Sequence, residues 1–238
     1  MASKRPARLD LSNVDDRERA ALWMRSAGLF FPGLSVTRPP VNPTAGLIAG
    51  VPFGPGCLWT ILSPPVLVSY LPASDSPPMF SVMLQLEGST TAQQGGRSCD
   101  LHAGDFCVID SIAPFDLDVA DDFSRVMILQ MPRHAVLSRR SDLERCTAQR
   151  FDTREPGAGL LRNTLGNLVD ATPYLAPEQR SAALAGVLQL LAMPKLPCGA
   201  ESQGRDGERI AATLAFIDAE LADPGLTAHR VAFAQGLS

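Results

Sequence analysis

Hydrophobic and polar residues alternate along residues 79–131, in short runs separated by turn residues. In the first run Val82, Leu84 and Leu86 fall on one face, and mostly polar residues fall between them. Alternation with a period of two is typical of β-strands, because successive side chains of a strand point to opposite faces. Short strands at close spacing predict a barrel or sandwich in which a small molecule can be held.

Three chain reversals are predicted between these strands, at residues 94–97, 103–105 and 120–122. The first contains Gly95 and Gly96, and adjacent glycines readily adopt the positive φ that a tight hairpin needs. We therefore expect a β-hairpin to close at this point.

The chain before this stretch is predicted to hold one helix and two further strands. The helix begins near residues 12–16, where polar side chains and acids can cap a first turn, and it ends near Gly28. Prolines between residues 32 and 56 favour loops or edge strands, because proline removes a backbone donor. Residues 58–62 and 66–71 have the composition of strands that would join the same sheet.

After Pro132 the spacing of apolar residues becomes helical. A short helix is predicted to begin there, and two longer helices follow, separated near residues 172–174. The apolar stripes of the two longer helices can be buried against the barrel or against a second copy of the chain, so they predict a helical hairpin that dimerises. The dimerisation candidates are Leu161, Leu165, Leu168, Leu184, Val187, Leu188 and Leu191.

Residues 194–207 are rich in proline, glycine and polar residues without a period, which predicts a linker. An amphipathic helix follows, and the chain then ends in an Ala-x-x-x-Gly-Leu-Ser pattern. A helix-turn-helix needs a small residue between its helices, a glycine in the turn, an apolar residue after it and helix caps. The residues in these roles are Thr227, Ala232, Gly236, Leu237 and Ser238.

Composition narrows the function classes. A hydrophobic fraction of 45% and a charged fraction of 19% are typical of a soluble globular protein. The formal charge of -4 argues against a chain coated with basic residues for binding nucleic acid. We find neither a secretory signal nor an apolar run of the ~20 residues that span a membrane, so a cytoplasmic protein without a membrane partner is expected. The five cysteines form no Cys-x-x-Cys pair and are predicted to be reduced thiols.

The ending closely resembles the start of the DNA-binding domain of the AraC/XylS family of transcriptional regulators, and the resemblance extends over nearly the whole chain. Residues 84–88, 101–105 and 129–133 look like the cupin-like effector-binding domain of one branch of that family. The resemblance implies an α+β fold, with an N-terminal cupin-like β-barrel and flanking helices, an α-helical hairpin and a partial helix-turn-helix domain.

The implied domains are a cupin-like sensor over residues 1–150, a dimerisation hairpin over 151–193, a linker over 194–207 and an incomplete helix-turn-helix domain over 208–238. The pattern stops at Ser238, before a recognition helix. We therefore expect either a fragment or a truncated gene product, which binds promoter DNA only together with the missing C-terminal part.

The alternative function is that of a cupin-fold metalloenzyme. Gly96 and Gly104 have the spacing of a cupin metal motif, but its metal-ligand place holds Cys107 and its Asn place Ser111. No His-x-His occurs, and a catalytic metal needs about three converging ligands. His102 is expected to be a turn residue. We therefore predict no enzyme activity, no catalytic or metal-binding residue and no cofactor.

The predicted function is ligand-responsive transcription regulation, with this chain supplying the sensor and dimerisation parts of a homodimer. The register of the cupin motif predicts that Cys107 and Ile109 point into the barrel. The effector, an unidentified small molecule, is expected to contact Trp59, Tyr70, Cys107 and Ile109. A purely structural barrel, or a dimerisation module that does not bind DNA, is the remaining alternative.

Overall fold

The fold is that of a computed structural model, which describes residues 7–41, 43–73, 76–120, 123–197 and Thr227. The chain divides into two units, residues 1–197 and residues 198–238, and the account below concerns the first. Of the predicted helix-turn-helix residues, Thr227 is exposed and outside regular secondary structure. Ala232, Gly236, Leu237 and Ser238 lie outside the described residues, so this prediction stays a prediction.

Strands dominate the first unit. The strands are β1 (Ala7–Asp10), β2 (Leu34–Arg38), β3 (Leu47–Phe53), β4 (Gly56–Ser63), β5 (Val66–Tyr70), β6 (Met79–Gln94), β7 (Arg97–His102), β8 (Phe106–Asp110), β9 (Phe115–Val119) and β10 (Ser124–Pro132). The helices are α1 (Asp16–Phe30), α2 (Arg133–Leu137), α3 (Pro156–Ala171) and α4 (Pro177–Leu190).

The strands form two antiparallel sheets that share β6. One sheet has the order β1-β3-β4-β10-β6-β8, and the other has the order β2-β5-β9-β6-β7. Side chains from both sheets, among them Met83, Ala92 and Val126, meet in one apolar core. The observed α+β class, with a curled cupin-like sheet, confirms the coarser part of the predicted fold.

The strand β6 has 16 residues and changes partners near its middle. Its first half pairs with β10 and β8, and its second half pairs with β7 and β9. The register against β10 shifts beside Arg125 and Val126, which is a β-bulge. Close to this point Gly88 has φ +69°, a conformation that favours glycine. A Cβ at Gly88 would also overlap the carbonyl oxygen of Phe123.

The free edge of β8 is covered by the chain segment that follows α2. Val108 and Thr147 form a parallel bridge, and the amides of Ala148 and Phe151 donate to carbonyls of β8 at 2.9 and 3.1 Å. The ring of Phe151 stacks on Phe106 at 4.8 Å between centroids. All residues of β8 are buried as a result, and the strand presents no open edge to another chain.

Two of the three predicted chain reversals lie within the described residues, and the structure confirms both. Gly95 and Gly96 have φ of +58° and +73° between β6 and β7, and Gly104 has φ +90° between β7 and β8. Residues 121 and 122 of the third predicted reversal lie outside the described residues. The short α2 also begins where the pattern placed a helix.

The first helix ends close to the predicted end near Gly28. The helix α1 passes Gly28 and ends at Phe30, and the amide of Phe31 still donates to the carbonyl of Ala27. The additional residues bring Phe30 and Phe31 against Trp59, and this packing outweighs the weak helix propensity of a glycine. Within the described residues no helix is long and apolar enough to cross a membrane.

The helices α3 and α4 contact each other, and each also contacts the barrel, through β6 and β3 respectively. All seven dimerisation candidates are buried within the chain, at 8% exposure or less. Their stripes are therefore covered by the chain itself, and dimerisation through these seven residues stays a prediction. The buried candidates are Leu161, Leu165, Leu168, Leu184, Val187, Leu188 and Leu191.

The bend of β6 generates a stability prediction. We expect Gly88→Ala to lower the free energy of unfolding by roughly 3 kcal/mol, because a Cβ both strains the positive φ and overlaps a backbone oxygen. Urea denaturation monitored by tryptophan fluorescence measures the loss.

Gly96→Ala is the matched control for this variant. Gly96 has φ +73°, but an added Cβ would have nothing within 4 Å. Gly96→Ala should lower the free energy of unfolding by about 1 kcal/mol, because only the cost of holding an alanine at positive φ applies. Equal losses for the two variants would show that the contact with Phe123 contributes nothing.

Candidate functional site

Two adjoining cavities lie inside the barrel. The inner cavity has a volume of about 110 Å³, and residues such as Trp23, Ile48, Ser63 and Val126 line it. The mouth cavity has a volume of about 520 Å³, and residues such as Pro52, Trp59, Tyr70 and Ser111 line it. The residues that line both cavities are Phe31, Leu34, Ser81, Ile109, Phe115 and Gln130.

The side chain of Trp59 forms one wall of the mouth cavity. Its partner across the β3–β4 pair is Gly50, where a Cβ would overlap the indole ring. The missing side chain at Gly50 thus provides the space in which the indole lies. The rings of Phe31 and Phe30 approach Trp59 at 4.7 and 6.0 Å between centroids, both tilted. The end of α1 is therefore held at the mouth by aromatic contacts.

A hydrogen bond fixes the orientation of Gln130. The Trp59 Nε1 donates to Gln130 Oε1 at 2.8 Å. An indole N–H can only donate, so the amide oxygen must face it and the amide nitrogen must point elsewhere. Among the described residues Nε2 has no hydrogen-bond partner. Ser81 is the cross-strand neighbour of Gln130, and its hydroxyl likewise has no side-chain or capping partner in the described part of the chain.

The part of the mouth-cavity lining that comes from β5 and β9 is also aromatic. The ring of Tyr70 stacks on Phe115 with 4.6 Å between centroids and an interplanar angle of 14°. These residues are cross-strand partners on β5 and β9, which places both rings on one face of that sheet.

The inner cavity has a polar end. Thr90 Oγ1 and Ser124 Oγ are 2.7 Å apart, and Gln85 Nε2 donates to Ser124 Oγ at 2.7 Å. The same Nε2 donates to the carbonyl of Glu87 at 2.7 Å. The hydroxyls of Thr90 and Ser124 are therefore hydrogen-bonded, whereas the buried Gln85 Oε1 has no partner among the described residues, and the described lining of this end is uncharged.

The four effector-pocket candidates do not all line the same space. Trp59, Tyr70 and Ile109 line the mouth cavity. Cys107 is fully buried in the core and lines neither cavity. The sequence prediction omitted Phe31, Ser81 and Gln130. Gln130 lies on the same face of its strand as Val126 and Ile128. A polar residue on this otherwise apolar face was the sequence signal that could have identified it.

Two thiols meet in the barrel core. Cys99 and Cys107 are hydrogen-bonded to each other, and this bond lowers the pKa of the partly exposed Cys99 while it raises the pKa of the buried Cys107. At the mouth cavity, burial raises the pKa of Cys57 to about 12, and its Sγ donates to the carbonyl of Val51 at 3.3 Å. Cys57 is therefore protonated at neutral pH.

The lining of both cavities is uncharged within the described part of the chain. The described residues that line them include no Asp, Glu, Lys, Arg or His. The buried Asp110 accepts from Arg133 Nε at 2.8 Å, and Arg133 also donates to Glu144. His102 is exposed, 3.9 Å from the carboxylate of Asp105. Within the described ranges no group of three His, Cys, Asp or Glu residues could hold a metal ion.

Comparisons with known proteins bear on this site. A family model described as the AraC-binding-like domain matches residues 45–196, more than half of the chain. The chain is similar to the solved structure of the AraC-like transcriptional activator CuxR, with a TM-score of 0.67 and 14% identity, over 98% of this chain and 85% of that chain. At this identity the likeness shows the fold. No curated protein matches the sequence.

Smaller solved domains match part of the barrel. A domain of unknown function from Vibrio parahaemolyticus matches at 11% identity and a TM-score of 0.30, over 40% of this chain and 97% of that one. A cupin domain of an XRE family transcriptional regulator from Enterobacter cloacae matches at 13% identity and a TM-score of 0.31, over 42% and 99%. These scores are too low to carry an argument.

The thiol environments generate a prediction about alkylation. At pH 7.5 we expect iodoacetamide to modify Cys99 faster than Cys57, because the thiolate is the nucleophile and the two pKa values are shifted in opposite directions. Modification of Cys57 should become appreciable only as the pH rises toward 12. Peptide mass spectrometry over time and pH measures both rates.

The fully buried Cys146 serves as the internal control in the same digest. It should stay unmodified while the fold is intact, so its alkylation would report unfolding instead. Faster modification of Cys57 than of Cys99 would show that exposure, and not the pKa, sets the order.

Proposed function

The chain belongs to the family of AraC-binding-like domains, the cupin-like domains of AraC-family transcription regulators, and we propose that it is the effector-binding and dimerisation part of a ligand-responsive regulator. The observation that carries this proposal is the mouth cavity. Its volume of about 520 Å³ lies in the range of small-molecule sites, and its walls come from rigid strands and one helix end.

The composition of the cavity walls supports binding over catalysis. General acid–base chemistry needs a titratable group whose pKa lies near the working pH. The described lining supplies neither a carboxylate nor a histidine, and Cys57 has a pKa of about 12. Those residues instead supply aromatic rings, amide and hydroxyl groups, which suit recognition.

The β3–β4 hairpin connects the mouth cavity to α4. Its strands contribute Pro52 and Trp59 to the cavity, and at its tip a Cβ on Gly54 would lie 3.0 Å from Leu184. A ligand that moves Trp59 therefore acts on the same hairpin whose tip contacts α4. Such coupling requires that the ligand bind two arrangements of the helices unequally.

The proposed homodimer uses the outer faces of the helical region. Leu160 on α3 is 46% exposed, and Met193 after α4 is 51% exposed. The two belong to neighbouring segments, because Gly157 of α3 lies against the backbone of Met193. Promoter DNA is the proposed second partner, through the helix-turn-helix domain predicted over residues 208–238.

Dimerisation by the whole chain is directly testable. Residues 1–238 are fused to a heterologous DNA-binding domain that represses its operator only as a dimer. We expect the fusion to repress a reporter gene, and sedimentation equilibrium of the unfused chain should give a dimer. Leu160→Glu should weaken the dimer about tenfold or more, since it places a charge in an apolar contact.

Ile112→Glu is the matched control, because Ile112 is 52% exposed in the turn between β8 and β9. This variant should repress as well as the parent chain does. A monomeric chain that fails to repress, with normal unfolding behaviour, would contradict the dimerisation role. Full repression by Leu160→Glu would place the contact elsewhere on the surface.

A further inference from the structure

We propose that the mouth cavity selects an uncharged, flat and largely apolar small molecule that offers a hydrogen-bond acceptor to Gln130 and Ser81. This inference rests on the proposed effector-binding function and names the chemical class of the effector. It is carried by the charge, the ring geometry and the unpaired polar atoms of the described cavity walls.

The absence of charge among the described lining residues sets the first requirement. The walls are formed mostly by aromatic rings, prolines and aliphatic side chains. A carboxylate, phosphate or ammonium group entering this space would lose its hydration without gaining an ionic partner. Sugar acids, nucleotides and amines are therefore selected against.

Aromatic rings from both sheets set the shape of the ligand. The lining from β4 and the end of α1 holds Trp59 with Phe30 and Phe31, and the lining from β5 and β9 holds Tyr70 stacked on Phe115. A flat ring system that packs against such rings makes favourable stacked or edge-to-face contacts over much of its surface. Flexible chains would lose more conformational freedom for the same contact area.

The polar atoms of Gln130 and Ser81, which line both cavities, set the orientation of the ligand. The Trp59 hydrogen bond forces Gln130 Nε2 to point away from the indole, where it can donate to a ligand. Ser81 is opposite Gln130 on the neighbouring strand and adds a hydroxyl beside it. A carbonyl or ether oxygen of the ligand would satisfy both groups, whereas a ligand without an acceptor would leave Nε2 unpaired.

The size of the inner cavity limits how deep the ring system can enter. Its volume of about 110 Å³ is smaller than the ~150 Å³ cavity that accommodates benzene in an engineered protein. The rings must therefore lie in the mouth cavity. A short substituent on the ring can pass the shared wall toward Thr90 and Ser124.

A matched pair of fluorescent dyes tests the charge requirement on the full chain. N-phenyl-1-naphthylamine is uncharged, and 8-anilino-1-naphthalenesulfonate differs from it by one sulfonate. We expect saturable binding of the uncharged dye at one site, with the anionic dye at least roughly tenfold weaker, because the sulfonate finds no cationic partner. Equal or tighter binding of the anionic dye would overturn the proposal.

A bulky substitution locates the dye. Ser81→Phe fills the wall shared by the cavities and should abolish binding of the uncharged dye. Gln93→Phe adds the same ring at an exposed position of β6 and should leave binding unchanged. Unaltered binding in Ser81→Phe would also overturn the proposal, because the dye would then occupy another surface.

Competition against the bound dye tests the acceptor requirement. 2-Acetonaphthone, which carries a carbonyl oxygen, should displace the dye at lower concentration than 2-ethylnaphthalene does. Gln130→Met should remove this preference while it retains dye binding, which shows that the variant is folded. An unchanged preference in both Gln130→Met and Ser81→Ala would overturn the assigned polar contact.

The outcomes separate this inference from the proposed function. A chain that dimerises in the reporter assay yet binds neither dye overturns the ligand class and leaves the dimerisation role intact. A chain that binds the uncharged dye but stays monomeric supports the ligand class and contradicts the dimerisation role.

Discussion

The structure depends on one strand that must hydrogen-bond into two sheets. The first half of β6 pairs with β10 and β8, and its second half pairs with β7 and β9. A straight strand could not do both, so the chain bends next to a bulge at Gly88, where positive φ and the close Phe123 carbonyl exclude any side chain. The curl of the barrel, and hence its interior space, follows from this bend.

The interior space is kept open by pairing small residues with large ones. Gly50 faces Trp59 across a strand pair, and a Cβ at Gly46 would collide with Leu11 and approach Trp23. The indole rings therefore lie in space that a side chain at Gly50 or Gly46 would fill. Because the rings of Trp59 and Phe31 contact each other, the end of α1 becomes part of the cavity wall and not merely an outer layer.

Sequence patterns predicted the strands from Met79 onward and their hairpins, because alternation and adjacent glycines are local properties. They could not tell which face of β6 looks into the cavity, since Val82 and Met83 are both buried, one on each face. The apolar stripes of α3 and α4 were visible in the same way, but periodicity shows that a face is apolar and not what covers it. Here the chain itself covers Leu161 and Leu188.

The site was partly predictable for the same reason. Trp59 and Tyr70 stand out as rare aromatic residues on strands, whereas the role of Gln130 depends on an indole 71 positions away in sequence. In the proposed function, that hydrogen bond is the link between ligand recognition and movement of the helices. A ligand acceptor that binds Gln130 Nε2 would contact the residue that is hydrogen-bonded to Trp59. Trp59 in turn lies on the hairpin whose tip is next to Leu184 of α4. In the proposed function, charge-free recognition at the mouth and displacement of the helical region would both act through this one set of contacts, because a ligand shifts the helices only if their two arrangements hold the indole differently.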